Sequence, residues 1–116
     1  MLKATADSID NTGNNLIVFG TITASGSYPT NGDTLDLSQL GVASDSLPRV
    51  VEIFEATPAP GPAYGASFTY LPGTTQANGL MEIFNGTAQI ATATYATIFG
   101  TVPVVLKFRA SFPAFI

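Results

Sequence analysis

From Val104 to Phe112 the chain alternates without a break. Val104, Leu106, Phe108, Ala110 and Phe112 fall on one side, and Val105, Lys107, Arg109 and Ser111 on the other. A period of two with one apolar side predicts a half-buried β-strand. Residues 16–24 read as a second strand rich in β-branched side chains, with Leu16, Val18, Gly20 and Ile22 opposite Ile17, Phe19, Thr21 and Thr23. Large apolar groups on both sides of its first half predict a central or covered position. Residues 64–71 alternate Tyr64, Ala66, Phe68 and Tyr70 against Gly65, Ser67, Thr69 and Leu71. Residues 49–55 and 80–85 predict two further strands, and 90–99 a weaker one.

Turn signals separate these runs. Residues 11–15 (Asn-Thr-Gly-Asn-Asn) precede the strand at 16–24, and Tyr28-Pro29-Thr30-Asn31-Gly32-Asp33 follows it. Asn31-Gly32, Asn78-Gly79 and Asn85-Gly86 supply the positive φ that tight turns need. Three prolines between Pro58 and Pro62 forbid both helix and central strand there, so that stretch reads as a surface loop. Only residues 35–42 read as able to hold a helical turn, with Ser38 as N-cap. The expectation is an all-β fold: an antiparallel β-sandwich, jelly-roll-like, or a small barrel, with at most one short helical turn. One domain spans 1–116, with an N-terminal arm over 1–12 and an apolar C-terminal tail over 112–116.

Composition then narrows the chemistry. The chain has 116 residues and contains no His, Cys or Trp. A Ser–His–Asp triad, a disulfide framework and a thiolate nucleophile are impossible, and a tetrahedral zinc site has no ordinary ligands. Net charge is −4 with four basic residues, Lys3, Arg49, Lys107 and Arg109, which speaks against a nucleic-acid partner. No apolar run approaches the roughly 20 residues that cross a bilayer, and the first seven residues lack the apolar stretch of a targeting signal. The expected protein is soluble or bound to something by its surface, with no membrane partner.

The candidate catalytic groups do not converge. The carboxylate pairs are Asp7 with Asp10, Asp33 with Asp36, and Glu52 with Glu55. The last two are three apart on a strand and therefore project to opposite sides. Residues 7–11 and 31–33 match a calcium loop only in part, and Asn and Asp form turns in any case. Tyr28, Tyr64, Tyr70 and Tyr95 could stack on sugars, but their alternation with Phe68 reads more simply as core. No glycine loop has the spacing that cradles phosphate. No catalytic, cofactor-binding or metal-ligating residue is expected, and the protein reads as a non-enzyme.

The low charge carries more information. Charged residues are 10% of the chain, against roughly 25% in an ordinary soluble domain. A surface of Thr, Ser, Asn and Ala loses water at little cost, and charge depletion marks the centres of protein interfaces. Apolar groups at ends and turns are the contact candidates: Met1, Leu2 and Lys3 in the arm, Tyr28 and Pro29 in the loop, and Phe112, Phe115 and Ile116 in the tail.

The order of segments resembles the small structural and decoration (cement) proteins of tailed-bacteriophage capsids. The matching stretches are 28–42 (Tyr-Pro-Thr-Asn-Gly-Asp-Thr-Leu-Asp-Leu-Ser-Gln-Leu-Gly-Val), 50–56, 64–70, 80–84 and 104–110. They follow a pattern of strand, Tyr-Pro-x-Gly-Gly-like turn, Leu-x-Leu segment, Val/Glu-rich strand, aromatic hairpin and closing strand. Asn31 stands where that pattern often has Gly. The resemblance implies a trimeric β-sandwich without a catalytic site, made in the host cytoplasm and seated on the virion. There it binds the outer face of the major capsid protein lattice and stabilises the head. Other positions compatible with the pattern are a receptor- or carbohydrate-binding module of a head fibre or tail, or a neck or tail structural protein.

Overall fold

A computed structural model describes residues 1–42, 46–55, 67–100 and 104–113, with the Glu55 side chain excepted. Its strands are β1 (Leu2–Asn11), β2 (Asn15–Ala24), β3 (Ser27–Tyr28), β4 (Asp33–Leu35), β5 (Val50–Glu55), β6 (Ser67–Leu71), β7 (Gly79–Asn85), β8 (Ala88–Gln89) and β9 (Ala93–Thr94). A short helix α1 (Tyr95–Phe99) and the closing strand β10 (Val104–Pro113) complete the chain. The expected loop at 58–62, the start of the expected strand at 64–66 and the tail residues Phe115 and Ile116 lie outside the described residues.

Two antiparallel sheets enclose the core. The first has the order β1-β2-β10-β5. The second has the order β4-β7-β6, with β8 also pairing to β7. A two-stranded ribbon, β3 with β9, completes the pairing. The architecture is the all-β fold that the alternation predicts.

The strand at 104–113 shows why. All five apolar members of its alternation are buried and all five intervening positions are half-buried. It pairs along its whole length with β2, which brings Val18, Ile22 and Ala24 onto the same inner side. Leu35, Met81 and Ile83 come from the second sheet, and Tyr95, Ile98 and Phe99 from the helix. Phe99 stacks on Phe68 with ring centroids 6.3 Å apart. β2 does lie between two neighbours, but its outer side stays open: Phe19 is 40% exposed.

Three expectations are corrected. Residues 35–42 form no helix and Ser38 caps nothing; a single turn closes from the Leu40 amide to the Leu37 carbonyl at 3.3 Å. Asp36 Oδ1 instead accepts the Ser38 amide at 2.8 Å and the Ser38 hydroxyl at 2.5 Å, an Asx turn that competes with helix. The helix lies at 95–99, where a weak strand is expected. Thr94 caps its start by accepting the Thr97 amide at 3.2 Å, and Gly100 ends it at φ 72°. Finally, the first residues are not an arm. Leu2–Asn11 is a strand paired with β2 throughout, broken by one bulge between Ala6 and Ser8.

At the Tyr28–Asp33 turn, Asn31 and Gly32 take φ values of 73° and 115°, and the Gly32 amide donates to the Pro29 carbonyl at 3.2 Å. Asn tolerates this conformation better than other side chains do, so a glycine is not required at 31.

Candidate interaction surface

The first sheet turns its inner side to the core and its outer side to solvent. Register places the outer residues in cross-strand rows. Thr5, Thr21, Lys107 and Phe54 form one row, and Ser8, Phe19, Arg109 and Glu52 the next. Asp10, Ile17, Ser111 and Val50 form a third. Phe19, Val50 and Phe54 are 40%, 49% and 49% exposed, and Ile17 is half-buried beside them. Single exposed apolar side chains need no explanation, but four on one sheet face, interleaved with Lys107, Arg109, Ser111 and Glu52, make this face the candidate interaction surface.

Four of the charged groups on this face, Arg109, Glu52, Lys107 and Asp7, form two ion pairs. Arg109 Nη1 lies 3.2 Å from Glu52 Oε1, directly across the strands. Lys107 reaches over β2, donating to Thr21 Oγ1 at 2.8 Å and to Asp7 Oδ2 at 3.2 Å. Thr21 Oγ1 in turn donates to the same Asp7 oxygen at 2.8 Å. The hydrogen bonds from Thr21 and Lys107 hold the Asp7 carboxyl below its ordinary value. The β1 bulge is what allows this, because it adds Asp7 to the strand and turns its side chain toward Thr21 and Lys107. Arg49, at the rim, donates to Asn15 Oδ1 at 3.2 Å. The face can therefore lose water against a protein without stranding these ions alone.

All four basic side chains belong to this face or its rim: Lys3 and Lys107 and Arg109 through the register, and Arg49 through Asn15. This concentration of charge partners was invisible in composition, because it depends on which strands are neighbours.

The residues singled out from sequence divide differently. Leu2, Tyr28 and Phe112 are 6%, 0% and 0% exposed and belong to the core. Met1, Lys3 and Pro29 are exposed. Met1, Leu2 and Lys3 line a groove of about 440 Å³ whose other wall carries Asp36 and Gln39. Phe115 and Ile116 lie outside the described residues. The structure sets Met1, Leu2 and Lys3 at one end of the β1–β2 pair, with the Met1 ammonium 3.3 Å from Asp33 Oδ2, and Phe112 beside Leu16 at the other end of β2. Sequence reasoning did not select Phe19, Val50 or Phe54. The available signal was two-sided apolarity in strands at 16–24 and 49–55.

Three tyrosines are described, and none offers an open ring platform. Tyr28 and Tyr95 are buried edge to face at 6.1 Å. Tyr95 donates to Asp33 Oδ2 at 2.6 Å, and burial together with that carboxylate pushes its hydroxyl well above the ordinary tyrosine value. The Tyr70 hydroxyl is enclosed and has no hydrogen-bond partner among the described residues. Among the described residues no group of three or more acidic side chains is placed to hold a metal ion.

Comparisons of the chain with protein-family models, with curated proteins and with solved structures return no match.

Proposed function

We propose that this protein is a virion structural protein of the decoration type, which binds the outer face of a major capsid protein lattice through the outer side of its first sheet. The observation that carries this reading is the set Ile17, Phe19, Val50 and Phe54, held on one sheet face among ion pairs that are already closed. Such a face gains by excluding water and offers nothing to a small reactive ligand. The resemblance in segment order supplies the kind of partner, a repeated protein shell.

The physical mechanism is linkage. A protein that binds the assembled lattice and not its separated subunits stabilises the lattice by mass action. Repetition of equivalent sites over the shell multiplies that effect. The place of action is the capsid surface, after synthesis in the host cytoplasm. Quantitative mass spectrometry of purified particles tests the proposal. Decoration requires a copy number in a fixed ratio to the capsid protein. A copy number matching a single neck or tail ring would contradict it.

A further inference from the structure

The distal half of β1 is an open sheet edge, and the structure indicates what fits it. The reciprocal bonds between Met1 and Ser25, and the bond from the Thr12 amide to the Asn15 carbonyl at 2.9 Å, fix which backbone groups face β2. Hydrogen-bonded pairs alternate along an antiparallel ladder. After the bulge, Ser8 and Asp10 therefore bond to Phe19 and Ile17, and the N–H and C=O groups of Ile9 and Asn11 point away from the sheet. Every residue from Ala6 to Asn11 is exposed. Ile9 lies opposite Val18, on the core side of the sheet, yet is 46% exposed, because the strand there overhangs its own core.

We infer that this edge pairs with the same edge of a second copy, antiparallel, about a two-fold axis at Ile9. Self-pairing presents each free donor and acceptor with its counterpart, since Ile9 meets Ile9 of the second copy as a hydrogen-bonded pair. The two isoleucines then cover each other. Charge selects the register. Centring on Asp10 would set two carboxylates opposite one another, which destabilises a cross-strand pair. Centring on Ser8 leaves each isoleucine opposite Asp7. Centring on Ile9 sets Asp10 opposite Ser8 of the other copy and joins the two isoleucines. The bulge and the aspartates resemble devices that keep edges apart; of the registers centred on Ser8, Ile9 and Asp10, only the one on Ile9 leaves no carboxylate opposite another carboxylate or opposite an isoleucine. The result is one continuous sheet of eight strands, carrying two copies of the outer face. This contact is two-fold, whereas the capsid resemblance implies a three-fold assembly.

Light scattering on the whole chain during size exclusion, over a range of concentrations, tests the inference. The expected mass is twice 12.0 kDa. Ser8→Lys places two cations opposite Asp10 and tightens the dimer about fivefold, whereas Ser8→Asp loosens it about fivefold. Ser8→Asp combined with Asp10→Lys re-creates two opposite-charge pairs with the signs exchanged and tightens the dimer about fivefold over the parent protein, as Ser8→Lys does. Position 8 is exposed, so circular dichroism of each variant should match the parent protein. A monomer at every concentration, a trimer, or a dimer indifferent to these charges would overturn the inference. None of these outcomes bears on attachment to a shell, which is measured separately.

Discussion

The Tyr28 hydroxyl accepts the amide hydrogen of Ile83 at 3.0 Å. It fills a gap in the second sheet. β4 pairs with β7 from Gly79 to Met81, and β8 resumes the same edge at Phe84. Between them the Ile83 carbonyl is met by the Ile90 amide at 2.9 Å, and its amide by the tyrosine oxygen. Gln89 Nε2 also donates to that oxygen, at 3.0 Å. Tyr28→Phe leaves a buried amide without an acceptor, so we expect a loss of about 2 kcal/mol in urea unfolding. An unchanged midpoint would show that the sheet closes without the hydroxyl.

Gly20 sits in the middle of β2 directly across from Phe108. A Cβ there would lie 2.3 Å from the Thr5 carbonyl oxygen and 2.4 Å from the Phe108 ring. The ring lies over the glycine and covers it. Gly20→Ala should cost about 2–3 kcal/mol, because backbone on one side and a buried ring on the other cannot both yield. Thermal unfolding monitored by circular dichroism reads the loss.

The enclosed Tyr70 hydroxyl points at Gly79, whose Cβ position would be 2.2 Å away. Burial raises its pKa, so it stays protonated. Removing an unpaired buried hydroxyl relieves a desolvation penalty, and Tyr70→Phe is expected to raise stability by about 1 kcal/mol. A clear loss in urea unfolding would mean that the hydroxyl has a partner.

The Asp7 carboxyl has its folded pKa held below the ordinary value near 3.8 by Thr21 and Lys107. Its contribution is therefore fully present above that value and is lost as pH falls through the lower folded value. Asp7→Asn should be less stable than the parent protein at pH 6, and the gap should close as pH falls below 4. A gap that is constant with pH would contradict the ion pair. Because the group is exposed, the effect is expected to be small and to shrink in high salt.

These particulars show where sequence reading works. The alternation at 104–112 specifies its strand, because period two with one apolar side admits one placement against a core. Tyr28 could not be placed in this way. Beside Pro29 in a turn it reads as surface, and only the meeting of β4, β7 and β8, distant in sequence, creates the gap that its hydroxyl fills. The helix at 95–99 had its signals in Thr94 and Gly100, but its Ala-Thr-Ile composition also suits a strand, and tertiary packing decided. The outer face was half legible. Two-sided apolarity marked Ile17 and Phe19, but the pairing of Lys107 with Asp7, and of Arg109 with Glu52, depends on strand order.

The account turns on the outer face of the first sheet. Phe19→Ser with Phe54→Ser removes its two exposed rings and should alter stability by about 1 kcal/mol or less. Leu71, 41% exposed on the second sheet, supplies the control as Leu71→Ser. The deciding measurement is co-sedimentation of each protein with capsid shells stripped of it. The account predicts that the double variant binds at least about tenfold more weakly, a loss of roughly 1.4 kcal/mol, while Leu71→Ser binds as the parent protein does. Equal occupancy by the double variant and the parent protein would contradict it.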